Sequence, residues 1–324
     1  MKSTIGTILF SAILLIMTGC SSVETNVEMK QLPNAELGDE YIDKLTKIMG
    51  ELIEEVGIES VSDNQEEETP LISYDVIDDE LSNPILEVED KKWEQDQQDI
   101  EKHTQLWQLF ANIVPSKERN MVTGFYVFTD GAGNTLGAVE PRYENPEEWL
   151  LSLDIAEMDN TKELIGTIIH EFGHLLFLNQ AQVPYSEDLE DEQELETLKT
   201  NCVHYFTSYG CSAPKSYINQ FYQRYWLGII EEWESLDVQT NEEDLDHFFT
   251  NHENEFLTDY AATDPSEDIA ETWTYFILSY QPEVETMADE KISFFYEFPE
   301  LVELRATLLS NLYKVISTEN SFKN

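Results

Sequence analysis

Thr167-Ile-Ile-His-Glu-Phe-Gly-His-Leu-Leu-Phe-Leu178 sets two histidines and a glutamate inside an otherwise apolar run. Burying such groups is costly unless they bind something. On a helix His170 and His174 sit four residues apart on one face, so both imidazoles reach a single cation, and Glu171 flanks the cation's open side. Zinc suits that donor set. The pentad is short enough to recur by chance, and its surroundings give it weight. Asn160 with Glu163 three residues on marks a helix start, and Leu164, Ile165, Ile168, Ile169, Phe172, Leu175 and Leu176 supply a continuous core-facing surface.

A catalytic zinc takes three protein ligands and keeps a fourth position open, so a third ligand must come from elsewhere. A metzincin-like continuation needs glycine at 177 and histidine at 180; Phe177 and Gln180 exclude it. The stretch from Phe256 to Phe276 is the most suggestive second half. Asp264 is a good N-cap, Pro265 suits the first helical position, and Glu267 and Glu271 then share a face. One carboxylate can ligate while the other accepts the second N–H of a ligating histidine. The spacing leaves open which of the two ligates.

Phe256-Leu-Thr-Asp-Tyr260, with an acid seven residues after the tyrosine and another four further on, resembles the gluzincin zinc peptidases typified by the catalytic domain of anthrax lethal factor and by Pro-Pro endopeptidases. The resemblance covers two short windows. It implies His170, His174 and Glu267 as ligands of one zinc per chain, Glu171 as base, Tyr260 as transition-state stabiliser and Glu271 as the outer partner of a ligating histidine; behind Glu267, Glu271 and then His204 are the next candidates for third ligand. The segment between the windows is longer than in lethal factor. It holds Asn201-Cys-Val-His-Tyr-Phe-Thr-Ser-Tyr-Gly-Cys211 and then Ser216 to Trp226, which resembles the insert of bacterial zinc-binding lipoproteins that carry a peptidase domain.

Lys2 precedes an apolar run from Ile5 to Met17 that ends at Thr18-Gly-Cys20. The run is too short to span a bilayer and reads as a lipoprotein signal cleaved before Cys20, with Met17 where leucine is usual. The expected address is the bacterial cell membrane, lipid-anchored through Cys20 and facing the extracytoplasmic side. In that oxidising setting the two remaining cysteines, Cys202 and Cys211, are expected to pair, stapling the insertion by about 2–3 kcal/mol.

The 66 Asp plus Glu against 18 Lys plus Arg give a net charge of −48. That balance opposes nucleic acid and anionic membrane surfaces as partners. Spread along the whole chain, it reads as a solubility or salt adaptation more than as substrate selection.

The remaining pattern gives an α+β expectation: a zincin-like metallopeptidase domain, mainly helical with a small mixed sheet, over 90–324. Before it come a signal peptide (1–19), a tether (20–38) and an acidic segment (39–89), helical from Asp39 to Val56 and loose from Glu59 to Asp79. Lys91 to Asn112 reads as one helix, with His103 structural. The period-two runs 124–129 and 135–140 around Asp130-Gly-Ala-Gly-Asn134 predict a hairpin. Trp149 to Ile155 predicts a third strand, placed as the sheet edge that receives a peptide. The functional expectation is a zinc endopeptidase acting on proteins or peptides at the cell surface; its rival is a non-catalytic zinc-binding surface lipoprotein.

Overall fold

Five strands form the central sheet: β1 (Thr69–Ile77), β2 (Glu80–Leu86), β3 (Val122–Thr129), β4 (Gly137–Arg142) and β5 (Asn145–Asp154), in the order β2-β1-β3-β5-β4. The structure, a computed structural model, describes residues 33–53, 68–88, 91–131, 135–143, 145–185 and 192–323. The signal peptide, Cys20 and most of the tether lie outside the described residues. Every described residue belongs to one compact unit. None of its helices is long and apolar enough to cross a membrane.

β3 is buried almost without interruption, as a strand with neighbours on both edges must be. It pairs antiparallel with β1 and parallel with β5. The expected 124–140 hairpin is therefore corrected: β4 pairs with β5, not with β3. The pattern of β4 explains this, since alternate residues are exposed and Pro141, which lacks an N–H, suits an edge. Trp149, Leu151 and Leu153 do share the buried face of β5. The edge, however, is β4 and not the 149–155 strand.

The boundary at residue 90 is also corrected. β1 lies next to β3, so the acidic segment 39–89 contributes two strands to the sheet, β1 from the part expected to be loose. Pro70 disguised β1, and it is tolerated because the ladder bulges between Pro70 and Ile72. β1 and β2 meet at a two-residue turn, Asp78–Asp79, with φ of 52° and 68°. Such a turn needs left-handed backbone at both positions, which aspartate tolerates better than most residues. Arg119 Nη2 bonds Asp79 Oδ2 at 2.9 Å, and the Trp107 indole donates to Asp79 O at 2.8 Å, holding the turn in place.

Helix α1 (Pro33–Met49) begins inside the expected tether, with proline where its missing N–H costs nothing. Gly50, at φ 82°, ends it and returns its N–H to Thr46 O. The expected 91–112 helix is split into α2 (Glu94–Gln98) and α3 (Ile100–Ile113), because Asp99 stops the first and accepts the Lys102 N–H to cap the second. His103 is fully buried between Tyr74 Oη (2.7 Å) and Asp96 O (2.8 Å), a structural role. The single turn α4 (Ser116–Arg119) leads to β3.

After β5 come α5 (Thr161–Leu178), α6 (Glu192–Asn201), a two-stranded hairpin of β6 (Phe206–Thr207) and β7 (Gly210–Cys211), and α7 (Tyr217–Tyr225). Then follow α8 (Ile230–Ser235), α9 (Glu242–Asn251), α10 (Pro265–Leu278), α11 (Met287–Phe294) and α12 (Pro299–Lys323). Cys202 and Cys211 stand at disulfide distance, their Cα atoms 5.7 Å apart across the β6–β7 hairpin. The buried faces of β5, α5 and α10 meet in one core containing Trp149, Phe172, Trp273 and Phe276.

Two buried cations hold α10. Arg305 donates from Nε to Phe276 O (2.7 Å) and from Nη2 to Ser279 O (2.7 Å), closing the helix's C-terminal end, and reaches Asp39 of α1 at 3.0 Å. Lys291 Nζ meets Asp268 Oδ2 at 2.6 Å with neither side chain exposed, 4.0 Å above the Phe256 ring, while Trp226 Nε1 donates to the same oxygen at 2.7 Å. Removing one partner of a buried pair strands the other charge. Lys291→Met is therefore expected to cost ~3–5 kcal/mol in urea unfolding; a variant as stable as the parent would show that Asp268 needs no counter-charge.

Candidate metal centre

Asn160 starts α5 by accepting the Glu163 N–H, and the helix runs buried from Thr167 to Leu175. Asp264 starts α10 by accepting the Ser266 N–H at 2.7 Å, with Pro265 next. The two helices can approach because Gly173 lacks a side chain: a Cβ there would lie 3.0 Å from Trp273 Cδ1 and 3.3 Å from Ala270 Cα. The glycine inside the pentad thus brings Glu267 and Glu271 to the histidines.

The result is a compact triangle. His170 Nε2 and His174 Nε2 are 3.0 Å apart, and Glu267 Oε2 lies 3.1 Å from the first and 3.2 Å from the second. Among the described residues, this is the group of three that could hold a metal ion. His170 Nδ1–H donates to Glu271 Oε1 at 2.9 Å, and Thr258 Oγ1 donates to Glu271 Oε2 at 3.0 Å. An ionised carboxylate only accepts, so that bond puts the proton on Nδ1 and leaves the Nε2 lone pair facing inward. The three donors then converge on one point, as the ligands of a single zinc ion must. The donor set fits zinc.

The electrostatics follow from burial and mutual contact. Both histidines are 9% exposed and Glu171 6%. Burial pushes the His170 pKa down, but Glu267 and Glu271 outweigh it and hold it well above the usual range. Burial pushes Glu267 up, but His174 and His170 hold it far below the carboxylate range. Burial raises Glu171, opposed by His170 and His174. Tyr260 has a half-exposed ring 6.0 Å from that of His170, and its hydroxyl lies against the Glu267 carboxylate. Burial, then Glu267 and Glu171, keep that phenol protonated.

The structure thus brings together His170, Glu171, His174, Tyr260, Glu267 and Glu271, and leaves His204 outside the triangle. Sequence reasoning missed two neighbours. Thr258 lies within the quoted window but shows its purpose only once Glu271 is placed. Tyr209, in the β6–β7 hairpin, packs its ring 5.5 Å from Trp149, and its hydroxyl is raised to about 12 by burial, then by Glu140, with Glu267 and Glu171 contributing. The insertion also supports α10 from outside, because Tyr205 Oη donates to the capping Asp264 at 3.1 Å and Trp233 Nε1 to Ala262 O at 3.2 Å.

No protein-family model, no curated protein and no solved structure matches this chain.

Proposed function

We propose that the chain is a zinc endopeptidase of gluzincin type, with His170, His174 and Glu267 holding the ion. The observation that carries this reading is the convergence of those three donors beside a buried carboxylate, Glu171. A structural zinc site has four protein ligands and no use for a base.

Bound there, zinc supplies Lewis acidity toward water and toward a scissile carbonyl. Glu171 takes the proton of the attacking water and passes it to the leaving amine. Tyr260, held neutral by its surroundings, donates a hydrogen bond to the developing oxyanion, a contact stronger in the transition state than in the ground state. Glu271 fixes the tilt and tautomer of His170. The edge strand β4 lies along α5, with Gly137 so close that a Cβ would meet Thr167 Cγ2 at 2.8 Å, and it offers free backbone groups to an extended peptide.

Incubating a diverse peptide library with the zinc-loaded chain and with the chelated chain tests the reading. Cleavage only in the first supports it, whereas tight binding of one zinc with no cleavage leaves the non-catalytic lipoprotein. Tyr260→Phe is expected to lower kcat by ~10²–10³-fold with little change in KM. A raised KM with kcat unchanged would assign the tyrosine to ground-state binding.

A further inference from the structure

Asp130, at the end of β3, and Asp154, at the end of β5, meet because those strands run parallel, with Asp154 opposite Phe128. They are 4% and 0% exposed. Asp154 is well supplied with donors: its Oδ2 accepts from Asp130 N at 3.1 Å, its Oδ1 from Ala156 N at 2.8 Å, and the Thr129 hydroxyl adds a third. Asp130 is not. Its Oδ2 accepts from Thr135 N at 3.0 Å, but its Oδ1 is buried with no hydrogen-bond partner, and its carboxyl group contacts that of Asp154.

Two ionised carboxylates in contact have only acceptors to offer each other, and burial raises the cost of that contact. The field of the pair reaches further. Glu157, in the 3-10 turn before α5, is raised to about 7 by burial, then by Glu163, Asp154 and Asp130. Asp154 is raised to about 6, chiefly by burial. A row of acids is commonplace on so acidic a chain. A buried carboxylate oxygen without a hydrogen-bond partner, beside a second buried carboxylate, is not, and it calls for a positive partner.

We propose that Asp130 and Asp154 hold a hard divalent cation, and that calcium is the cation that fits. The donors are all oxygen, which selects calcium or magnesium over zinc. Calcium takes irregular shells of ~6–8 oxygens, including backbone carbonyls and waters, and so tolerates a site with few side-chain ligands. The site is independent of the zinc centre and of the peptidase reading. It joins the chain leaving β3 to the 3-10 turn that opens α5. Bound calcium therefore stabilises the entry to the helix that carries His170.

The test uses the zinc-loaded full chain, titrated with calcium and separately with magnesium, and read by calorimetric stoichiometry and melting temperature. The parent is expected to bind calcium with one site well above the diffuse background, and to melt roughly 3–6 °C higher at a hundredfold excess over the dissociation constant. Asp130→Asn should lose that shift and weaken the site at least tenfold. Asp246→Asn, which changes an exposed acid on α9, should keep both. Equal calcium responses in the parent and Asp130→Asn would overturn the proposal in favour of diffuse surface binding. A parent that ignores calcium, beside an Asp130→Asn variant that melts higher without any, would show that the two acids share a proton instead. A response to magnesium equal to that for calcium would overturn the choice of ion.

Discussion

Glu171→Gln is expected to retain one zinc per chain and to lose ~10³-fold or more in kcat/KM on any peptide the parent cleaves. The amide keeps the size and burial of the carboxylate, so the two histidines and Glu267 stay where they are. What it loses is the ability to accept a proton. Burial already disfavours the charge on Glu171, which raises its proton affinity and suits it to act as a base. Zinc content by elemental analysis, beside steady-state kinetics, separates the outcomes. Full activity in this variant would remove Glu171 from the mechanism, and loss of zinc would make it a structural support of the site.

Glu267→Ala is expected to act on the metal itself. Two imidazole nitrogens 3.0 Å apart remain, and the third vertex of the triangle disappears. Outer partners of metal ligands are worth ~10–100-fold in affinity, so loss of a direct ligand should exceed that, at about 10³-fold. Competition with a chromogenic chelator measures it. An affinity within tenfold of the parent would show that Glu267 is not a ligand and would direct attention to Glu271, which already touches His170 Nδ1.

The halves of this centre were unequally legible. His170, Glu171 and His174 lie within one helical turn, so their shared face follows from helix geometry alone. Glu267 could be ranked above Glu271 only through a resemblance, because two acids one turn apart look alike until the distance to α5 is known. That distance depends on Gly173 meeting Ala270 and Trp273, a contact no local pattern announces. The sheet shows the same division. The alternation in β5 was readable, but its partners were not: adjacency in sequence suggested a 124–140 hairpin, while the nearly complete burial of β3 required two neighbours and the exposed residues and Pro141 of β4 confined it to the edge. β1 stayed hidden because Pro70 and an acidic flank imitate a loop, and the Asp78–Asp79 turn lacks the glycine that usually marks a tight hairpin.

His170 and Glu267 stand 97 residues apart in the chain. A cation bridging them closes a loop of that length, and in the unfolded ensemble such a closure removes entropy worth about 4–5 kcal/mol, on the scale of a long-range disulfide. The protein would then hold its fold by an exchangeable staple. Its half-life against unfolding and proteolysis would rise and fall with the free zinc around it, so metal scarcity would thin the population of molecules before it slowed any that remained.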